Sequence, residues 1–282
     1  MTFSVPKYLR IPPTELGHDQ PVALSILTDM ASIARHMAQA MLREIENARE
    51  EGRRPTLIVP VGPVDQYPIL AETVNRERIS LRDVVLINMD EYLTDDDAWL
   101  PNDHPLCFSG FMNRRFYDLL DPELAPPPEN RILPNPNDPG AVQRIIDERG
   151  GVDACFGGIG INGHIAFNEP PEPGETVSDE EFAERPTRVL SLSRETKTIN
   201  SVTVGGDIAV VPERCVTVGM QEILAARVLR FYCNRPWQSG VVRRVLHGPI
   251  TAACPASFLR THPDASLTIA DYVASMPDIR LR

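Results

Sequence analysis

His164 and Glu169 lie five residues apart in the stretch V-D-A-C-F-G-G-I-G-I-N-G-H-I-A-F-N-E-P, from Val152 to Pro170. An imidazole that changes charge near neutral pH and a carboxylate that accepts protons are carriers for general acid–base chemistry. Glycines at 157, 158, 160 and 163 surround the pair and let the backbone turn tightly or approach a ligand closely. A third group, Asp90, follows the apolar run V-V-L-I-N-M at 84–89. A carboxylate can relay a proton between adjacent carbons, so Asp90 beside His164 suits chemistry alpha to a carbonyl.

Other readings of these residues exist. Gly158 to Gly163 matches G-x-G-x-x-G, which marks a dinucleotide loop only where a helix follows the strand. Here Pro170 cuts that helix short, and Glu180, about twenty residues on, lies in the acidic stretch S-D-E-E-F-A-E-R-P rather than at a strand end. A plain turn carrying a surface histidine, and a helix-capping role for Asp90, remain as alternatives.

The elements that must position these groups alternate in type. Residues 1–21 carry several prolines and read as an arm over the surface. Ile26, Met30, Ile33, Met37, Met41 and Ile45 recur every three or four residues and predict an amphipathic helix from about Pro21 to Glu50. Strands are expected at 56–62 and 84–89, with a short helix over Tyr67 to Val74 between them. The first strand ends in Gly62, and the second delivers Asp90 and Glu91. A helix over 104–118, a proline-rich loop from Pro126 to Gly140 and a helix over Ala141 to Arg149 precede the buried strand Val152 to Phe156. The segment 170–188 reads as a flap with few apolar anchors. Later strands are expected at 188–192, 227–233 and 266–270, with a helix over 217–226.

Such alternation predicts an α/β fold: a Rossmann-like, doubly wound, mostly parallel sheet with helices on both faces. No repeat or linker divides the chain, which reads as one domain over 1–282. In such a sheet ligands sit beyond the carboxyl ends of the strands. Gly62, Asp90 and the loop from Gly157 to His164 should therefore face one crevice.

Composition narrows the partners. Lys and Arg number 28 against 39 Asp and Glu, a formal net charge of -11 that repels nucleic acid and anionic lipid. No apolar run reaches the length of a membrane span, and the N-terminus does not read as a signal peptide. Five scattered cysteines without C-x-x-C spacing fit reduced thiols in a cytoplasm, and neither they nor the six histidines show metal-ligand spacing.

Several motifs together resemble the glucosamine-6-phosphate deaminase/isomerase family. They are N-M-D-E-Y at 88–92, H-P at 104–105 with F-M at 111–112, G-G-I-G-I-N-G-H-I-A-F-N-E-P at 157–170, and V-P-E-R-C-V-T-V-G-M at 211–220. The likeness runs in order from about Val22 to Tyr272. It implies an aldose–ketose isomerase that also expels ammonia from a small sugar or sugar phosphate, with no metal or organic cofactor. It makes Asp90 the base that moves a proton between C2 and C1. It makes His164, with Glu169, the group that opens the sugar ring by handing a proton to the ring oxygen. Glu91 and Gly160, delivered to the same crevice, join the substrate-contacting positions. A homo-oligomer is compatible with the resemblance. The related 6-phosphogluconolactonases differ after the G-H pair, so A-F-N-E-P favours the deaminase branch.

The chain departs from that family at two places. Asn162 stands where the pattern has Asp, and brings a hydrogen bond to His164 without a charge. The phosphate clamp is altered: Gly62 is followed by Pro63, Val64 and Asp65, where the family has small or hydroxyl residues and a Thr-Pro. Val202 replaces an Arg, and the phosphate-binding Lys falls near Gln238, with Arg235 three residues earlier as the substitute cation. The reading is an isomerase/deaminase whose substrate differs from glucosamine 6-phosphate at the far end. Its alternatives are the ordinary deaminase with a relocated phosphate site, a lactonase, and a non-catalytic sugar-binding regulator.

Overall fold

Met30, not Pro21, begins the long helix. In the computed structural model, which describes residues 4–63 and 65–278, the preceding residues form strand β1 (Ala23–Leu27). Asp29 then caps helix α1 (Met30–Glu50), its Oδ1 accepting the Ser32 N–H at 2.7 Å. The cap stops the helix from extending backward, and Ile26 matches the helical spacing only by coincidence. From Met30 on the expected face holds: Ile33, Met37, Met41 and Ile45 are buried.

Next come β2 (Thr56–Val59), α2 (Gln66–Glu77), β3 (Val85–Asn88), β4 (Asp90–Tyr92) and α3 (Phe108–Arg115). β5 (Arg131–Ile132) lies inside the stretch read as an unbroken proline-rich loop, and α4 (Ala141–Arg149) and β6 (Ala154–Gly158) follow. The remaining helices and strands are α5 (Asp179–Ala183), β7 (Arg188–Ser191), α6 (Arg194–Asn200), β8 (Arg214–Thr217), α7 (Met220–Leu224), β9 (Val228–Cys233), α8 (Ser239–His247), β10 (Ala265–Ala270) and α9 (Asp271–Ala274), beside short 3-10 turns.

Seven strands form a parallel sheet in the order β1-β10-β9-β6-β2-β3-β5. The order reverses direction between β6 and β2, which marks the switch point where an α/β sheet opens a crevice. The architecture is the expected Rossmann-like α/β fold.

A second sheet was not foreseen. After β3 the chain leaves the main sheet, and β4 joins β8 and β7 in a three-stranded antiparallel layer. Asp90 is therefore the first residue of a new strand rather than a loop acid. Its partner across β8 is Thr217.

The segment 170–188 is better anchored than its composition implies. Phe182 is fully buried and stacks on Phe258, with ring centres 6.2 Å apart. Ser178 and Glu181 form a capping box, Asp179 accepts the Ala252 N–H, and Thr187 donates twice to the buried Glu222. None of residues 170–188 lines the central cavity described next.

Candidate active site

A cavity of about 390 Å³ opens at the carboxyl ends of β2, β3, β6 and β9. Gly62 and Pro63 enter it after β2, Asp90 after β3, Gly160 and His164 after β6, and Arg235 after β9. The crevice therefore collects the three regions that the strand pattern predicted, together with Arg235 and Gln238. Val64 lies outside the described residues.

Asp90 is only 8% exposed. Burial, with the neighbouring Glu91 charge as a smaller cause, pushes its carboxyl up to about 8. That is a proton affinity suited to a group that must both take and return a proton.

Glu91 does not do what the sequence suggested. It is absent from the cavity wall and has no exposed surface. Its Oε1 accepts the N–H groups of Tyr92 and Phe108 at 2.9 Å, and its Oε2 accepts that of Ser109 at 2.7 Å. A carboxylate here satisfies the free N–H groups at the start of α3. Glu91 thus anchors that helix against β4, and strand alternation turns it away from the face Asp90 presents.

The loop after β6 is shaped around His164. A methyl group on Gly160 would lie 2.0 Å from His164 Nε2, so only glycine leaves room for the ring. Gly163 has φ of +93° and packs against Cys254, a conformation and a closeness that a side chain would not allow. His164 Nδ1 is 2.9 Å from Asn162 Oδ1, 3.1 Å from Thr196 Oγ1 and 3.4 Å from Glu169 Oε2. Asn162 Nδ2 donates to Glu169 Oε2 at 2.6 Å and reaches Ser193 Oγ at 3.4 Å.

Burial alone would raise the Glu169 carboxyl. Hydrogen bonding and charge from His164 outweigh it, aided by Thr196 and Asn162, and hold the group at about 2. Glu169 and Asn162 sit behind His164 and do not line the cavity. Thr196, fully buried on α6, was not legible in the sequence.

The cavity wall beside Asp90 is aromatic. Tyr92, Phe108 and Phe167 pack with ring centres 4.8–6.0 Å apart, and Asn200 Nδ2 donates to the Tyr92 hydroxyl at 2.8 Å. These residues come from β4, α3, the His164 loop and α6, and only the fold brings them together.

The far side is sparse. Asp65 is exposed and does not line the cavity, so it points no charge inward. Val202 is 70% exposed and also outside the wall. Gln238 lines the cavity, yet its Nε2 donates to the Ile159 carbonyl at 2.8 Å and its Oε1 accepts the Arg235 N–H at 2.7 Å. Both ends of that amide are committed to backbone, so Gln238 ties two loops together. Among the described residues lining the cavity, Arg235 is the one cationic side chain, and no described carboxylate pairs with it. Arg235 follows β9 and Asp90 follows β3, with β6 and β2 between them. Three strand spacings put their backbones about 14 Å apart, so Arg235 meets the end of a ligand opposite to the end that Asp90 meets.

No family model matches the chain. It is 30% identical over 260 residues to glucosamine-6-phosphate deaminase of Porphyromonas gingivalis, covering 89% of this chain and 92% of that one. To the Caenorhabditis elegans protein of the same name it is 31% identical over 250 residues, with 86% and 87% covered. Among solved structures, a monomeric glucosamine-6-phosphate deaminase superposes with a TM-score of 0.76 at 26% identity, covering 91% of this chain and 100% of that chain. The 6-phosphogluconolactonase of Trypanosoma brucei superposes with a TM-score of 0.63 at 14% identity over 91% and 98% of the chains, a likeness of fold alone.

Proposed function

Because the chain belongs to the glucosamine-6-phosphate deaminase family, we propose that it isomerises and deaminates an amino sugar that carries no 6-phosphate. The observation behind this reading is the cavity itself, whose described wall holds both Asp90 and His164 and a single cationic side chain, Arg235.

In this reading His164 opens the sugar ring. Asp90 then takes the proton from C2 and delivers it to C1. Oxidation state moves from C1 to C2, the nitrogen on C2 becomes an imine, and water releases it as ammonia. A buried carboxyl held at about 8 keeps its proton at neutral pH. The ammonium of an amino sugar beside it favours the carboxylate, so that substrate class switches on its own base.

The far end carries the departure. A charge-assisted hydrogen bond contributes about 1.5–3 kcal/mol, and a phosphate dianion held by one exposed guanidinium lacks most of them. The exposed position of Asp65 removes the repulsion that its charge would bring inside, so weak phosphate binding rests on the missing partners alone.

The test is exchange of the C2 proton and release of ammonia, measured on glucosamine and glucosamine 6-phosphate, with calorimetric titration of both. Exchange with the unphosphorylated sugar and similar or weaker binding of the phosphorylated one support the reading. Binding of the phosphate tenfold tighter or more makes the chain an ordinary deaminase with Arg235 as its relocated cation. Saturable binding without exchange of any amino or neutral sugar makes it a non-catalytic binder.

A further inference from the structure

We propose that Asn234 is the specificity-determining residue for the substrate's distal group, and that this group is a neutral hydroxyl, the primary alcohol of a free amino hexose. The inference deepens the reading above and rests on it for the identity of the sugar, not for the site.

Three amide side chains stand on the described cavity wall, those of Asn200, Asn234 and Gln238. Gln238 is committed to backbone at both ends, and Asn200 donates to the Tyr92 hydroxyl. Asn234 differs from both. It is 6% exposed, yet its side-chain amide bonds no protein atom among the described residues. Buried polar groups are almost always partnered, because an unpartnered one keeps the full cost of leaving water. A free amide this deep on a cavity wall is one that the polar group of a ligand completes.

The backbone around it is held from two sides. Asn234 follows β9, and its carbonyl accepts the hydroxyl of Tyr272, on α9, at 2.7 Å. One residue on, the Arg235 N–H goes to Gln238 Oε1 at 2.7 Å, and Pro236 opens the short turn behind it. A side chain carried on backbone held in this way meets its ligand with little left to order. Trp237, 37% exposed on the same turn, adds apolar surface to the cavity rim.

The chemistry of the amide selects the group. Its NH2 donates and its carbonyl accepts, and a hydroxyl does both in return. A phosphate dianion only accepts, so it can use Nδ2 but sets its lone pairs against Oδ1. A methyl group uses neither end. Arg235, the next residue, is exposed, so water solvates its charge whether or not the ligand does.

Calorimetric titration of the wild-type protein with glucosamine, its 6-deoxy analogue and its 6-carboxylate tests this. Removing the hydroxyl should weaken binding by about tenfold or more, because it strands both ends of a buried amide. Asn234→Leu should weaken glucosamine by a similar factor and leave the 6-deoxy analogue unchanged, so that the variant no longer tells the two apart. A merely structural role for Asn234 would weaken both sugars alike. Equal or absent wild-type binding of the two sugars, discrimination that survives in Asn234→Leu, or tighter binding of the carboxylate through Arg235 would overturn the proposal. The wild-type titrations decide even where the variant fails to fold. The two ideas fail separately. Exchange of the C2 proton on glucosamine with no preference over the 6-deoxy analogue sinks the role of Asn234 and keeps the deaminase reading. Discrimination between those sugars with neither exchange nor ammonia release sinks the deaminase reading and leaves the hydroxyl site standing.

Discussion

At the His164 end of the cavity, three side chains, Asn162, Thr196 and Glu169, gather around a single imidazole. At the Arg235 end, one cation stands without a carboxylate among the described residues, and the nearby amide of Gln238 is spent on backbone. The contrast extends to the acids. Asp90 is raised to about 8 and Glu169 held at about 2, so two carboxylates serving one cavity differ in proton affinity by environment alone. Carboxyl groups pushed apart in this way mark an assignment of acid–base roles. On the proposed function, the fold specifies the proton carriers tightly and the groups facing the substrate's distal end loosely.

The strongest challenge to that contrast is Asp90→Asn. General acid–base groups contribute about 10²–10⁴-fold, so exchange of the substrate C2 proton should fall by that factor while sugar binding persists, as measured by exchange into deuterated water. Stability should move the other way. Above the unfolded pKa near 3.8 the unfolded chain ionises Asp90, whereas the folded protein keeps the proton until about 8. The folded state binds more protons in that window, so wild-type stability declines as pH rises through it. The asparagine escapes this penalty. Thermal melts should show the variant more stable than wild type above pH 8 and the two converging toward pH 4. Full exchange activity in Asp90→Asn would remove it from the proton path.

Gly160→Ala tests the other half of the catalytic end. Its new methyl would fall 2.0 Å from His164 Nε2, so the ring must swing aside. A displacement of about 1 Å costs on the order of 100-fold in rate. The loss should appear in kcat far more than in KM, and the alanine variant should still melt cooperatively. An unchanged kcat would mean that His164 is not in the reacting position shown here.

A smaller effect follows from Asp90 ionisation in the free protein. With the carboxyl at about 8, roughly a tenth of it is ionised at pH 7 and most of it at pH 9. The value of kcat/KM for the proton-transfer step should rise about tenfold over that interval. The rise should be seen with a neutral sugar as well as an amino sugar. In kcat, with an ammonium beside Asp90, the same rise should shift to lower pH. A profile that falls through this range would assign the base elsewhere.

Much of this site could be read from the chain, because its parts follow strands directly. Gly62, Asp90, Gly160 and His164 each sit one short step beyond an apolar run, and the parallel sheet delivers all of them to one edge. Partners that meet only through folding were missed. Thr196 is 32 residues from His164 and arrives on a separate helix. Glu91 looked like a substrate contact because nothing local shows that α3 starts against it. Of the antiparallel layer behind Asp90 only β7 was expected, at 188–192; β4 and β8 are three and four residues long, too short for alternation to register. At β1, Ile26 continued the helical spacing of α1, and Asp29 was the signal that should have stopped it.

The last prediction concerns the sparse end. Arg235 is exposed, and an exposed ion pair contributes about 0.2–1 kcal/mol because water and salt screen it. If the distal group of the substrate is uncharged, Arg235→Ala should change KM by about fivefold or less, leave kcat alone, and show little dependence on salt. If the cavity were a true phosphate site, the same guanidinium would be its one cationic partner among the described residues. A desolvated charge-assisted bond of about 1.5–3 kcal/mol would then be lost, and the KM for glucosamine 6-phosphate would rise by ten- to about a hundredfold. Arg235→Lys separates the cases further, since lysine keeps the charge and loses the planar fork that grips two oxygens at once. Equal KM values for arginine and alanine on the unphosphorylated sugar, with no rescue by lysine, would leave the two ends of the cavity as different as they look. A hundredfold loss confined to the phosphorylated sugar and partly restored by lysine would erase the difference and return the chain to ordinary phosphate recognition.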